Sequence, residues 1–339
     1  MRRIGLVGFG SIAENGHLPA LRSFPGVEVV AVADVSSQRL TRARELLPYA
    51  TLYDSPLDLI RDGDLTGVDI CTPPNTHADL IVAACGQGLA DVICEKPMVL
   101  TEDEYRRVAR AREESGSRVV SVNNWVHSDL NRHVSAVLNA EAIGSVHSIE
   151  LRTGRPAAAL GNGEWLPRWR TDLEHAGGGI ILDHGWHQFY LLLGWMREPI
   201  ESVSATARTV DPRHAPVEDE ATVDVQFANG TGRVMLSWTS KERTNDGFIE
   251  GSDGTIAIHD DRIEVKSSVG TRELPFGGRL TQSSYHPDWF QAMYRCNLLA
   301  EDRAEADRNF VEAGVLVSTI QAAYDSAKAG GIPRSPSVR

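Results

Sequence analysis

Two segments far apart in this chain hold residue types that can move a proton between a substrate and the protein. Asp183 and His187 lie four apart in the run Gly177-Gly178-Gly179-Ile180-Ile181-Leu182-Asp183-His184-Gly185-Trp186-His187. On a helix that spacing puts both on one face. A carboxylate there can orient the imidazole and favour its charged form. His187 can then take a hydroxyl proton as hydride leaves the same carbon, and return it in the reverse direction. General-base catalysis of this kind is worth about 10²–10⁴-fold. The second segment is Glu95-Lys96-Pro97, which follows the apolar run DVIC. A residue before proline avoids the helical region, so Lys96 is expected extended at a strand end, aimed into a crevice. There it can hold and polarise a substrate oxygen or relay a proton. Lys96, Asp183 and His187 form the expected catalytic set.

A third segment can cradle phosphates. Gly8-Phe9-Gly10-Ser11-Ile12-Ala13 follows a strand pattern and opens a helix pattern. Gly8 permits a tight turn, Gly10 lets backbone approach a pyrophosphate, and Ala13 lets the helix pack close to the strand. Amides at the start of that helix, from Ser11 and Ile12 onward, then face the phosphates. Asp34 ends the next strand pattern, where a carboxylate accepts from adenosine ribose hydroxyls and repels a 2′-phosphate. NAD is therefore expected over NADP, although Arg39 is close enough to suit a 2′-phosphate. The loop Thr72-Pro73-Pro74-Asn75-Thr76-His77 follows a further strand and is expected to cover the cofactor, through Thr72, Pro73 and Asn75. His77 suits a structural role or a cofactor contact equally. Glu95 and Lys96 stand at the same sheet edge and are expected beside the cofactor too.

Other residues point toward the substrate. Trp165, Arg168, Trp169, Arg170 and Asp172 cluster just before the glycine run. Trp169 and Arg170 can wall a pocket with a flat apolar face and a donor for hydroxyls or anions. Ordinary packing and surface charge explain the cluster about as well. His184 and His187 make an H-x-x-H pair, but no further clustered ligand accompanies it. No metal is expected, and His184 is read as a substrate contact.

The elements that must position these groups are legible in the pattern. Short apolar runs at 4–7, 27–33, 68–71, 91–94 and 118–122 alternate with helical patterns at 12–23, 36–47, 76–87 and 101–115. That alternation argues for a doubly wound parallel sheet. After residue 123 a helix pattern at 130–138 precedes longer alternating runs at 145–153, 201–210, 221–227, 232–240 and 254–259. Asn229-Gly230 marks a hairpin between two of them. The second half is expected to carry a largely antiparallel sheet, closed by a helix over 304–329, with a frayed tail from Pro333. The fold class is thus α/β: a Rossmann-like region at 1–123 and a second α/β region at 124–335.

Composition bounds the partners. The formal net charge is −12, which argues against nucleic acid or an anionic membrane as a main partner. Cys71, Cys85, Cys94 and Cys296 form no C-x-x-C pair and fit a reducing compartment. The chain enters a strand pattern at once, so no signal peptide is expected. No run of about 18 apolar residues is present, and a cytoplasmic location is expected.

Together these motifs resemble the glucose-fructose oxidoreductase / inositol dehydrogenase family, Gfo/Idh/MocA. The resemblance rests on G-x-G-x-x-A at Gly8, the TPPNTH loop, Glu95-Lys96-Pro97, the GGG run with Asp183-x-Gly185-x-x-His187, and the segment DEATVDVQFANG from Asp219. It spans nearly the whole chain. It implies an N-terminal Rossmann domain and a C-terminal domain with a large open sheet that builds dimers or tetramers. It also implies Lys96, Asp183 and His187 as the catalytic set, with His187 the acid/base. Sugars, sugar nucleotides, cyclitols and related polyols are the implied substrates. Two features depart from the family pattern. The segment VNNWVHSD at Val122 lacks the usual arginine, so Asn123, Asn124, Trp125 or His127 is expected to replace its contacts. His184 and Trp186 are bulkier than usual in the DxGxxH element. The leading expectation is a dehydrogenase that interconverts a ring secondary alcohol and its ketone. The alternatives are an enzyme with retained NAD performing elimination, epimerisation or glycoside cleavage, and a sensor without turnover.

Overall fold

The computed structural model describes residues 1–61, 64–161, 165–283 and 285–338. Its first layer is a six-stranded sheet of β1 (Arg2–Val7), β2 (Val27–Ala33), β3 (Thr51–Tyr53), β4 (Gly67–Ile70), β5 (Asp91–Cys94) and β6 (Arg118–Ser121). Its order is β3-β2-β1-β4-β5-β6, and every pairing is parallel. Helices α1 (Leu18–Arg22), α2 (Ser37–Leu46), α3 (Pro56–Arg61), α4 (His77–Gly86) and α5 (Glu102–Ser115) connect the strands. All residues of β4, β5 and β6 are buried, as strands covered on both faces must be. Thr101 caps α5 by accepting the Glu104 amide at 3.1 Å, and Glu102, Asp103 and Glu104 sit where the helix dipole favours acids.

After α6 (Asp129–Asn139) the chain builds a second, eight-stranded sheet. It comprises β7 (Val146–Gly154), β8 (Ile200–Arg208), β9 (Glu220–Phe227), β10 (Gly230–Ser237), β11 (Thr244–Gly251), β12 (Gly254–Ile258), β13 (Arg262–Ser267) and β14 (Gly270–Pro275). Between β7 and β8 lie α7 (Leu173–Ala176) and α8 (Trp186–Met196); α9 (Pro287–Asn297) and α10 (Ala304–Lys328) follow β14. The order is β14-β13-β12-β11-β7-β10-β9-β8. All neighbours are antiparallel except β7 and β10. The hairpin at Asn229-Gly230 joins β9 to β10, with Phe227 opposite Gly230. The α8 side of the sheet is filled by Trp186, Phe189, Trp195 and Trp238, all fully buried.

Two expectations need correction. The helix over 12–23 starts as a π turn, Ala13–His17, before α1. The tail is not frayed. Arg334 and Val203 exchange both backbone hydrogen bonds, at 2.7 and 2.8 Å. The Ser337 amide donates to Ser318 Oγ at 2.8 Å.

The last helices return to the first sheet. Asn309 of α10 accepts from the Ser121 amide at 2.8 Å and donates to its carbonyl at 3.0 Å. That gives the edge strand β6 the partners a further strand would supply. Arg118 donates to the carbonyls of Asn297 and Leu298 at 2.9 Å. The far end of the chain thus fixes the edge from which the Val122 segment leaves.

Candidate active site

The glycine turn sits at the carboxyl edge of β1 and fits a dinucleotide. Gly8 has φ 87, and a Cβ there would lie 2.9 Å from the Cys71 carbonyl. A Cβ on Gly10 would meet nothing within 4 Å, so the space above this turn is open for a phosphate. Asp34 Oδ2 accepts the Phe9 amide at 2.7 Å and Oδ1 accepts the Ser36 amide at 2.8 Å. Each oxygen keeps a lone pair for a ribose hydroxyl. Arg39 donates to the Phe9 carbonyl at 2.6 Å and pairs with Glu14 at 2.5 Å, which ties its guanidinium to the protein. Asn75 Oδ1 is buried without a protein partner, an acceptor suited to a polar ligand. Thr72 and Thr76 exchange a hydroxyl bond at 2.7 Å beside it. Ser11 Oγ lies 2.6 Å from Tyr285 Oη, so a residue from beyond β14 reaches the cradle. Residues Gly8, Gly10–Ala13, Asp34, Thr72, Pro73 and Asn75 are those that would hold the cofactor.

Glu95, expected beside the cofactor, and His77, read as structural or cofactor-contacting, both turn inward. His77 is fully buried, and its two ring nitrogens lie 2.9 Å from the Pro97 carbonyl and 2.8 Å from the Thr72 carbonyl. It staples the TPPNTH loop to the EKP turn. Burial holds it below the usual histidine range. The Glu95 carboxylate spends Oε1 on His17 Nε2 at 2.9 Å and Oε2 on the Lys96 amide at 3.0 Å. It positions Lys96 from behind.

Lys96 and Asp183 meet directly, a pairing that the sequence spacing did not point to. Lys96 Nζ donates to Asp183 Oδ1 at 2.9 Å and to the Asp183 carbonyl at 2.6 Å. An ammonium has three donors, so one remains for a substrate oxygen. Burial works against the Asp183 charge, yet Lys96 foremost holds this carboxyl well below the usual range. Arg170 adds to this with Nε 3.8 Å from Asp183 Oδ2, its guanidinium lying 4.3 Å over the Trp169 ring. Both expected wall residues thus gather here. Trp165 and Asp172 do not: Trp165 packs edge-on against His175, and Asp172 caps α7.

The expected Asp183–His187 pairing is not what the structure builds. Residues Ile181–Gly185 form a π turn, whose wider winding rotates Asp183 away from the α-helical i, i+4 relation. His187 Nδ1 instead lies 2.8 Å from Tyr190 Oη. Burial, and then the Lys96 charge, hold His187 well below the usual histidine range, so the ring is neutral, not charged as expected. His184 Nδ1 lies 3.2 Å from both Asp183 Oδ2 and Trp238 Nε1. Burial pulls its pKa down to about 4. The Trp125 ring lies tilted against His187 at 5.8 Å, and Trp289 meets Trp125 edge-on at 5.4 Å. Asn123 is 2 % exposed and accepts the Trp186 indole N–H at 3.0 Å. It anchors the start of α8, while its Nδ2 is buried without a protein partner.

Sequence reasoning missed several supports. The glycine run packs against Glu218 and Tyr324, not a ligand: a Cβ on Gly179 would lie 1.9 Å from the Glu218 carbonyl. Glu218 carboxylate oxygens take the Gly179 and Ile181 amides at 3.0 and 3.1 Å, capping the turn that carries Asp183. Arg155 is buried, donating to the carbonyls of Gly154 and Thr244 at 2.6 and 2.7 Å. His17, Asp69 and Cys71 cluster beneath the cradle with ligating atoms within 4.8 Å. Both His17 nitrogens are engaged there by Asp69 and Glu95, and burial pushes the Cys71 thiol up to about 12. That makes a hydrogen-bonded network, not a metal seat. No motif spacing marks these groups, because partners lie far off in the chain: Glu218 is 39 positions from Gly179, and His17 is 52 from Asp69 and 78 from Glu95.

Comparison with known proteins decides the family. Residues 2–124 match the model of the oxidoreductase family with an NAD-binding Rossmann fold, and 131–257 match the GFO/IDH/MocA C-terminal domain. The chain belongs to the GFO/IDH/MocA oxidoreductase family. It is 27 % identical over 270 residues to myo-inositol 2-dehydrogenase of Thermotoga maritima, covering 79 % of this chain and 73 % of that one. It is 27 % identical over 329 residues to D-xylose 1-dehydrogenase (NADP(+)) 2 of Haloferax volcanii, covering 96 % and 97 %. Levoglucosan dehydrogenase in complex with NADH and L-sorbose superposes with a TM-score of 0.85 at 19 % identity, over 100 % and 99 % of the two chains. The last comparison bears on the fold. The protein is thus an oxidoreductase with an NAD-binding Rossmann region, and no described helix is long and apolar enough to cross a membrane.

Proposed function

We propose that this family member is an NAD-preferring dehydrogenase interconverting a secondary alcohol and a ketone on a sugar, sugar derivative or cyclitol. The observation that carries this reading is the convergence of Lys96, Asp183 and a neutral His187 beside the open glycine cradle. The nicotinamide supplies the hydride acceptor or donor when bound. Lys96 holds the reacting oxygen through its remaining N–H. Asp183 keeps the ammonium in place. His187 takes the hydroxyl proton at Nε2, the nitrogen left free by Tyr190. Arg170, Trp169, Trp125 and His184 shape the pocket toward a hydroxylated ring. The named relatives support a sugar or cyclitol as substrate.

The test is NADH absorbance with purified protein, NAD or NADP, and a panel of inositols, hexoses, aminosugars and sugar nucleotides. A signal with NAD and one polyol class is the expected outcome. Silence across the panel with NADH still bound overturns the dehydrogenase reading in favour of a retained-cofactor enzyme or a sensor.

Cofactor preference follows from Asp34. Asp34→Ala is expected to weaken NADH binding about tenfold, the worth of one hydrogen bond to a charged acceptor, and to narrow the gap to NADPH. Fluorescence titration with both nucleotides checks it. A wild-type protein that binds NADPH more tightly than NADH removes the ribose argument.

We also propose a division into 1–123 and 124–335 and a homodimer or homotetramer built on the outer face of the eight-stranded sheet. The end of β6 at Ser121 supports the first, and the half-buried or exposed residues that alternate with buried ones along β8, β9 and β10 the second. Sedimentation showing only monomer at micromolar concentration argues against the oligomer.

A further inference from the structure

The neutral His187 raises the question of what orients it, since Asp183 is committed to Lys96. Tyr190 stands one helical turn on in α8 and is 5 % exposed. Its phenol oxygen accepts the Trp125 backbone N–H at 3.0 Å and lies 2.8 Å from His187 Nδ1. Its ring meets the imidazole edge-on at 5.6 Å. Burial raises the phenol well above its ordinary value, so it stays uncharged. The other groups acting on His187 are Lys96 from the EKP turn, Asp183 and His184 from the π turn, and Arg155 from the end of β7. Trp125 covers the ring on the side of β6. Among the described residues, His187 Nδ1 has its hydrogen-bond contact with Tyr190 and with none of these.

We propose that Tyr190 is the positioning residue of His187: its phenol oxygen accepts from Nδ1–H and leaves Nε2 bare toward the substrate. The inference rests on His187 being the proton acceptor. In the oxidation direction two bonds of the alcohol break. The C–H bond breaks and its hydride goes to the nicotinamide. The O–H bond breaks and its proton forms an N–H bond at Nε2. The imidazolium keeps Nδ1–H on the Tyr190 oxygen throughout. The Trp125 amide fixes the phenol oxygen from the other side, so the pair is aligned by backbone and not only by side-chain packing. A phenol partner, unlike a carboxylate, orients the ring without making it charged, which suits a base that must be neutral at rest.

Tyr190→Phe tests this, since it deletes one oxygen and keeps the ring. The expected result is a kcat lowered about tenfold, the equilibrium worth of one hydrogen bond, with little change in KM. The independent readout is ¹⁵N NMR of histidine-labelled protein near neutral pH, with His187 assigned by its loss in His187→Gln. Wild type is expected to carry the proton on Nδ1, and Tyr190→Phe to move it to Nε2. Spectra are taken below the thermal midpoints of both proteins, so a loss of stability does not obscure them. A wild-type ring protonated on Nε2, or a tautomer unchanged in Tyr190→Phe, overturns the proposal. Undiminished turnover in His187→Ala would instead remove the catalytic reading beneath it, and the NMR result distinguishes the two failures.

Discussion

His187→Ala and Lys96→Ala are each expected to lower kcat by about 10²–10⁴-fold, the range for loss of a positioned acid or base. His187→Ala removes the proposed proton acceptor and leaves the alcohol to release its proton to water. Lys96→Ala removes the donor that polarises the substrate oxygen, and leaves Asp183 with its largest stabilising charge gone. Because the two act on one oxygen, the double variant is expected to lose far less than the product of the single losses. NADH affinity should be retained in both, because the phosphate cradle and Asp34 lie on other elements. Steady-state kinetics with a nucleotide titration check this. Turnover preserved in both variants sinks the catalytic assignment, and loss of NADH binding in both points to a structural role instead.

The second large effect is on stability. His17→Ala is expected to destabilise the fold by about 3–5 kcal/mol, the cost of removing one partner from a buried ion pair. His17 is fully buried, with Nδ1 2.8 Å from Asp69 and Nε2 2.9 Å from Glu95. Tyr294 Oη adds a bond to His17 Nδ1 at 2.6 Å and donates to Asp69. Burial disfavours the imidazolium, but the Asp69 carboxylate outweighs it and raises the pKa well above the ordinary value. For a raised pKa the stabilisation is complete below the unfolded value of about 6.5 and is lost as pH rises toward the folded value. The gap between wild type and variant should therefore be larger near pH 6 than near pH 9. Burial likewise works against Glu95, and His17 holds its pKa low. Without His17 that carboxylate, which carries the Lys96 amide, loses its cation. Urea unfolding at both pH values measures the effect. A variant as stable as wild type at each would show that the network contributes nothing.

The first sheet was readable because its signals are local. Strand runs at 27–33 and 91–94 coincide with β2 and β5, and the cap at Thr101 with the start of α5. A parallel strand buried on both faces is an apolar run between turns, so periodicity alone finds it. Short β3 and exposed β14 carry too few apolar residues to stand out. The tail looked frayed because Pro333 to Val338 has no periodic pattern, yet the unpaired edge of β8 supplies its partners.

For the site, residue types and linear spacing singled out the groups proposed to carry the chemistry: the Gly8 turn, Asp34, Lys96, Asp183 and His187. Each belongs to a motif only a few residues long, so the chain's local geometry already limits where it can stand. Tertiary structure alone decided the pairings. The π turn rotated Asp183 to Lys96, 87 positions away, and gave His187 to Tyr190. Packing turned Asn123, His77 and Glu95 inward to Trp186, to the Thr72 and Pro97 carbonyls, and to His17. A helical repeat assumed from sequence predicts contacts at four residues, but one extra residue in a turn changes them. A buried polar group must find its partner wherever the fold brings one, and that choice is made by long-range packing, which no local pattern records.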